Sequence, residues 1–418
     1  MEVVKGEWLP SGETLNGSKL RHRKLMGQQP SITERGDSEY NTENIDPLDS
    51  SSFEHSTGPS VPLLMLNEVI GRENINFFSL LDGSVHGVKM PPELRGALCV
   101  GSSHGWLLMS LAVPTKSNSF FTHILSLPKE VRIKNFLFNP FNKDAIHLPS
   151  QTTLPLYGSD DQIFIRKSIL SCAPTSDNLA AGKCMVVIIC YYGNLAFCKP
   201  GDTSWSILDS TKRGFSHVDA VFYEEKLYAI RRDENLSIFN GLGSGEVTRI
   251  NMVSPTDRET AIPIFLVDGQ KVPLGENQTM YLVPSNGDLI MVLRIWNYEP
   301  ENDRQILCPI RTVQFKVFKL DCSIPQWVEI KSLGDKMLFL GTSCSKSYSA
   351  AKHGFKGNSI FFTDDNFDAY LHEEDRPSEL RDMGLFRLDK GSIDPYFLSR
   401  INSFSSRFIW VDELSCVD

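Results

Sequence analysis

The chain has 418 residues, 41% of them hydrophobic and 10% aromatic, so it is long for one conventional core and too apolar to be disordered throughout. Forty-two Lys and Arg stand against 51 Asp and Glu, a formal charge of -9 with no basic stripe, which argues against a nucleic-acid partner, whose phosphates call for cationic contacts. The most apolar run, Cys184 to Tyr192, is about half the length that crosses a bilayer, so it reads as a buried strand and no membrane partner is expected.

Residues 1–60 come first and are rich in Ser, Thr, Asn, Glu and Gly. Such a stretch buries too little apolar surface to offset the entropy of ordering it, so a disordered polar segment is expected. It opens without the charged start and apolar run of a signal peptide. The nine cysteines are scattered, with no C-x-x-C pair. An odd count without a secretory signal predicts reduced thiols, mostly small buried hydrophobes, in a cytoplasmic and/or nuclear protein. The sequons at Asn235 and Asn277 then carry no meaning, and the basic run Lys19 to Lys24 reads as a solvated tail before it reads as a nuclear-import signal.

From Val61 to about residue 414 the texture changes. In chain order come "VPLLMLNE", "INFFSLLDGSVHGVKMP", "GWLLMSL", "NFLFNPFNKDAIHLP", "KCMVVIICYYGNLAFCKPGD", "AVFYEEKLYAI", "LSIFNGLG", "DLIMVLRIW", "SIFFTDD" and "MGLFRLDKG". Each is of strand length, carries β-branched or aromatic residues and ends on Gly, Pro, Asn or Asp, while helix-period runs are scarce. The chain is predicted to be all-β.

Two stretches then match. Asn194 to Ile230 and the stretch from Phe315 through Asp365 both run strand, polar break, Trp, strand, loop, strand, turn, strand, with Trp205 and Trp327 in equivalent places. Within them, Asp219 to Ile230 ("DAVFYEEKLYAI") aligns with His353 to Asp364 ("HGFKGNSIFFTD") as a strand end, a two-residue polar turn and an aromatic-rich strand. Repetition of about four strands per unit is the pattern of a β-propeller, and about 350 residues at roughly 45–50 per blade predict about seven four-stranded blades. Two tandem sandwiches compete with this, but no linker divides the region.

Several motifs, in order, resemble the plant F-box-associated propeller family of the KIB type. They are Gly101, Ser102, Ser103, Gly105 and Trp106 of "GSSHGW"; Asn139, Pro140, Ile146, Leu148 and Pro149 of "NPFNKDAIHLP"; then "HVDAVFYEEKLYAI", "GFKGNSIFFTDDN" and "DMGLFRLDKGSIDPYF". The resemblance covers about residues 61 to 412. It implies a kelch-like propeller that captures the substrate of a cullin-type ubiquitin ligase, behind an F-box bundle that holds the ligase adaptor. Here no F-box is recognised. Leu9-Pro10 is faintly like its start, but Leu15, Leu20 and Leu25 fall at fives instead of the spacing of an apolar helix face, and the next thirty residues are too polar. Adaptor binding is therefore not expected.

Other constellations favour structural readings. "GSSHG" fits G-x-S-x-G with Ser103 in the nucleophile's place, but it leads into a strand where a nucleophile elbow leads into a helix. Asp364 to Asp375 places Asp364, Asn366 and Asp368 at positions 1, 3 and 5 of an EF-hand-like loop, yet has Ala369 in place of the sixth-position glycine and Asp375 in place of the closing glutamate. A solvated acidic loop is expected. The adjacent Glu373 and Glu374 point to opposite faces if extended, and no histidines or cysteines have metal spacing. No catalytic, cofactor-binding or metal residues are assigned, and no cofactor is expected.

The expected function is that of a monomeric protein-interaction module, a relative of a ligase substrate receptor without the F-box, whose partner protein the sequence does not identify. The alternative is a propeller enzyme, a hydrolase or lyase acting on a small polar substrate. Its mark would be an open, charged cluster of perturbed pKa at the mouth of the central channel.

Overall fold

The computed structural model of the chain describes residues 61–67, 73–114, 131–154, 165–190, 193–210, 216–232, 234–242, 248–252, 265–267, 270–272, 277–298, 310–323, 326–365, 382–394 and 407–412. The polar segment 1–60, and with it the F-box question, lies outside the described residues, as does the EF-hand-like loop beyond Asp365.

Short alternating strands closed by tight turns fold against their sequence neighbours, and they do so here in meanders. β1 (Leu63–Asn67), β2 (Asn74–Phe78) and β3 (Val85–Lys89) are the first. A second sheet holds β4 (Leu98–Ser103), β5 (Trp106–Pro114), β6 (Val131–Phe138) and β7 (Ala145–Leu148). A third holds β8 (Ile165–Leu170), then, after the short helix α1 (Ser176–Ala180), β9 (Val186–Cys190), β10 (Leu195–Cys198) and β11 (Ser206–Asp209). A fourth holds β12 (His217–Tyr223), β13 (Lys226–Arg231), β14 (Leu236–Asn240) and β15 (Thr248–Met252).

After a ribbon of β16 (Phe265–Val267) and β17 (Gln270–Val272), the fifth sheet holds β18 (Gln278–Ser285), β19 (Asp288–Tyr298), β20 (Ile310–Asp321) and β21 (Gln326–Ile330). The sixth holds β22 (Lys336–Leu340), β23 (Lys346–Ser349), β24 (Ser359–Phe362), β25 (Gly384–Arg387) and β26 (Ser392–Asp394). Finally β27 (Arg407–Val411) returns to pair antiparallel with β1, Leu64 opposite Trp410 and Met65 opposite Ile409, so that the first and last described strands share one blade. Edge strands β4, β8, β12 and β18 neighbour one another in turn, β23 follows β18, and β27 lies beside β4.

The ring therefore has six blades among the described residues, and the expectation of about seven is corrected. The division assumed uniform blades. The fifth instead spends 11 and 12 residues on β19 and β20, the sixth takes five strands, and the ribbon joins no blade sheet.

The core lies between the sheets: six apolar clusters, one at each junction between neighbouring blades. A sheet pressed on both faces is buried on both, which is why β9 reads as a continuous apolar run: Val186, Ile188 and Cys190 face the second blade, Val187 and Ile189 the fourth. Trp205 precedes β11 and Trp327 sits in β21, the outer strands of their blades, and each packs against the preceding blade. That equivalence agrees with the repeat. The other half of the alignment does not. Asp219 to Ile230 is the hairpin β12–β13, whereas His353 to Asn358 forms no strand and β24 pairs parallel with β22. The parallel partner comes from earlier in the chain, so local pattern could not announce it.

Candidate functional site at the propeller axis

The inner strands of the second, third and fourth blades each carry a bulge, at Cys99/Gly101, Ile165/Lys167 and His217/Asp219. A bulge re-aims the following side chain. Lys167 and Asp219, both buried, form an ion pair between the third and fourth blades. Asp219 also accepts from the amides of Ala220 (2.7 Å) and of Leu282 in the fifth blade (2.8 Å). Burial pushes its carboxyl up, while Lys167 and the two amides pull it back.

Gly341–Ser345, between β22 and β23, crosses the axis. The Cys344 amide donates to the Ser102 carbonyl (3.2 Å) and its thiol to that of Ser168 (3.5 Å), reaching from the sixth blade to the second and third. Gly101 must lack a side chain here, since a Cβ would lie 2.7 Å from Ser168 Oγ. The remaining junctions are pinned in the same way. Ser102 Oγ donates to the Trp410 carbonyl (2.7 Å), Ser103 Oγ accepts from the Leu170 amide (3.2 Å), and Ser285 and Ser347 share a hydroxyl bond (2.9 Å). Asp412 accepts from Tyr348 (2.8 Å) and pairs with Lys346 (3.1 Å), joining the sixth blade to the first. At the crossing, the buried hydroxyls of Thr342, Ser343 and Ser345 have no hydrogen-bond partner among the described residues.

A second buried constellation ties the fifth blade to the sixth. Arg294, fully buried on β19, donates from Nε to Thr312 Oγ1 (2.7 Å), and from its terminal nitrogens to the Tyr281 hydroxyl, the Thr363 carbonyl, Asp365 and Asp382 (2.8–3.1 Å). Its guanidinium lies 4.9 Å from the Phe362 ring centroid. Burial raises the Tyr281 phenol well above its ordinary value, Arg294 opposing and Asp365 adding to the shift. The sequence carried one signal of this site, a lone arginine inside the apolar run "DLIMVLRIW". Nothing local marked its partners.

Ser103 lies in β4 beside a two-residue hairpin turn, His104 (φ 52°) and Gly105 (φ 74°), pairing with Trp106 on β5. A strand follows where a nucleophile elbow has a helix, and Ser103 Oγ already accepts an amide. The nearby Cys344 thiol is pushed up by burial, against thiolate formation. Of the acidic loop, Asp365 is bound to Arg294 and Asp364 accepts from the Asp382 amide (3.4 Å); Asn366 to Asp375, with Glu373 and Glu374, lie outside the described residues. Among the described residues no group of three or more His, Cys, Asp or Glu is placed to hold a metal, and no helix is long and apolar enough to cross a membrane.

The motif residues shared with the propeller family prove architectural. Asn139 Oδ1 accepts from the amides of Phe141 (2.9 Å) and Asn142 (3.3 Å) and so shapes the β6–β7 turn. The Pro149 carbonyl receives Asn135 Nδ2 and Trp205 Nε1, both at 2.9 Å, linking the second blade to the third.

The KIB1-4 beta-propeller family model matches residues 77–387. Similar proteins of Arabidopsis thaliana include the F-box/kelch-repeat protein At1g57790, 22% identical over 70% of this chain and 67% of that one, and the F-box protein SKIP23, 25% identical over 51% and 49%. The F-box protein At2g17690 is 42% identical over 20% of this chain and 17% of its own length. The chain thus spans from about a sixth to two thirds of these relatives.

Proposed function

Because the chain belongs to the KIB1-4 β-propeller family, we propose that it is a protein-interaction module that holds a partner protein on its inter-strand loops, as a relative of the substrate-binding propellers of plant F-box proteins. The observation that carries this is the fate of the axial polar groups. Lys167, Asp219, Ser102, Ser103, Cys344, Lys346 and Asp412 are consumed in bonds between blades, and none stands as an open nucleophile with a base beside it. An axis spent mostly on ring closure, with the buried hydroxyls of Thr342, Ser343 and Ser345 the unpartnered remainder, leaves the loops to do the binding. A cytoplasmic or nuclear location and a monomeric state belong to the same proposal.

The test is affinity purification from plant tissue, scored for partner proteins and for the ligase adaptor, with a titration of recombinant adaptor beside it. Partner recovery with no adaptor binding tighter than about 100 μM, the weak end of useful contacts, is the expected outcome. Micromolar adaptor binding that disappears on deleting residues 1–60 would assign an F-box to that segment and make the protein a complete substrate receptor.

A further inference from the structure

We propose that Cys172 and Cys184 form a cross-strand thiol pair that closes to a disulfide under peroxide, clasping the root of the loop between β8 and β9. The pairing follows from register. β8 and β9 pair Leu170 with Val186, and the ladder continues one step further, the Ser171 amide donating to the Met185 carbonyl at 3.0 Å. The returning amide, Met185, donates to Ser171 Oγ (2.8 Å), which in turn donates to the Lys183 carbonyl (3.0 Å). Ser171 and Met185 thus hold a hydrogen-bonded position. Cys172 and Cys184 fall on the next, non-hydrogen-bonded one, where opposed Cα atoms approach to about 4.5 Å, inside the range that a disulfide spans.

The Cys184 sulfur reaches across to the facing residue. Cys184 Sγ lies 3.7 Å from the Cys172 carbonyl oxygen. Between the two, the loop is built and not slack. Thr175 caps α1, Asn178 Nδ2 donates to the Ala173 carbonyl (2.9 Å), and Gly182 takes the left-handed conformation (φ 61°) that turns the chain back. The root of the loop is therefore ordered, with the two cysteines on facing strands, before any oxidant arrives.

Exposure sets the order of events. Cys172 is partly exposed and Cys184 buried, so peroxide meets Cys172 first. Its sulfur takes one peroxide oxygen as a sulfenic acid and releases water. Cys184 sulfur then attacks the sulfenic sulfur, and the expelled hydroxide leaves with the Cys184 proton as a second water. Two thiols and one hydrogen peroxide give one disulfide and two waters. Burial pushes the Cys184 thiol up to about 12, which protects it from direct attack by peroxide and means that its proton leaves only as the hydroxide departs from the Cys172 sulfenic acid.

Hydrogen peroxide applied to the full-length protein, followed by alkylation and non-reducing trypsin digestion, tests this. Cleavage after Lys183 puts Cys172 and Cys184 on separate peptides, and fragment ions of the second, which also carries Cys190 and Cys198, place the bond. The expected product joins them, lighter by two hydrogens, and is lost on adding dithiothreitol. Cys322→Ser, which removes an exposed thiol, should keep the product; Cys172→Ser should abolish it. Both cysteines recovered alkylated, Cys172 ending as sulfinic or sulfonic acid, or either joined to a different cysteine would overturn the proposal. The wild-type digest, with fragment ions placing the bond, decides even if a variant fails to fold.

Discussion

His104 shows how much one side chain can store at a blade junction. It takes the first place of a two-residue turn at φ 52°, a conformation in which Asn or Gly is the easier residue. Burial, with Lys346 nearby, lowers its pKa from 6.5 to about 4. Its folded pKa is thus depressed, so the unfolded chain binds the proton more readily. Stability is full above pH 6.5 and falls as the pH drops through about 4, by at most about 2–3 kcal/mol. His104→Asn should remove that step and, by forming an Asn-Gly turn, hold or raise stability at pH 7. Urea unfolding at pH 7 and pH 4.5 measures both, and an unchanged pH gap would remove His104 as its source. Arg294 makes the opposite case. Arg294→Met strands Asp365 and Asp382 in the interior and should cost about 3–5 kcal/mol, part of which Asp382→Asn in the same chain should restore.

At the scale of the element, the tryptophans were legible because a large ring at the start of an outer strand is a local signal. Trp205→Ala and Trp327→Ala should each lower unfolding free energy by about 3–5 kcal/mol, since both rings fill a junction between blades. A loss below about 1 kcal/mol for either would mean that the ring is peripheral. The turn at His104 was legible for the same reason, written in the five consecutive residues "GSSHG". Blade six was not. Its parallel pair β22–β24 places Leu338 beside Ile360 across a segment that reads as the approach to a hairpin, and parallel pairing leaves no two-residue turn to find. The axial cluster was hidden more deeply. Lys167, Asp219 and Cys344 come from three blades, and only bulges and ring closure bring them together.

Across the whole molecule, ring closure covers both faces of every blade with a neighbour, and β27 completes it by pairing with β1. The strand "RFIWV" reads as apolar and extended, but its partner β1 lies at the other end of the described chain, beyond any local pattern. Phe408, Ile409, Trp410 and Val411 are at most 2% exposed and fill the junctions with the second and sixth blades. Burial of each such side chain is worth about 1.5–3 kcal/mol, so together they rival the roughly 5–15 kcal/mol by which a domain is stable. Their loss also uncovers β1, leaves the Trp410 carbonyl absent for Ser102, and takes Asp412 from Lys346 and Tyr348. Ending the chain at residue 406 should therefore abolish cooperative unfolding and yield aggregated or molten protein that binds a hydrophobic dye, while far-UV circular dichroism of the intact chain shows strand with little helix. If the shortened chain instead stays monomeric and melts sharply near the temperature of the intact one, the ring is held by its junction clusters and β27 is no more than a sixth inner edge.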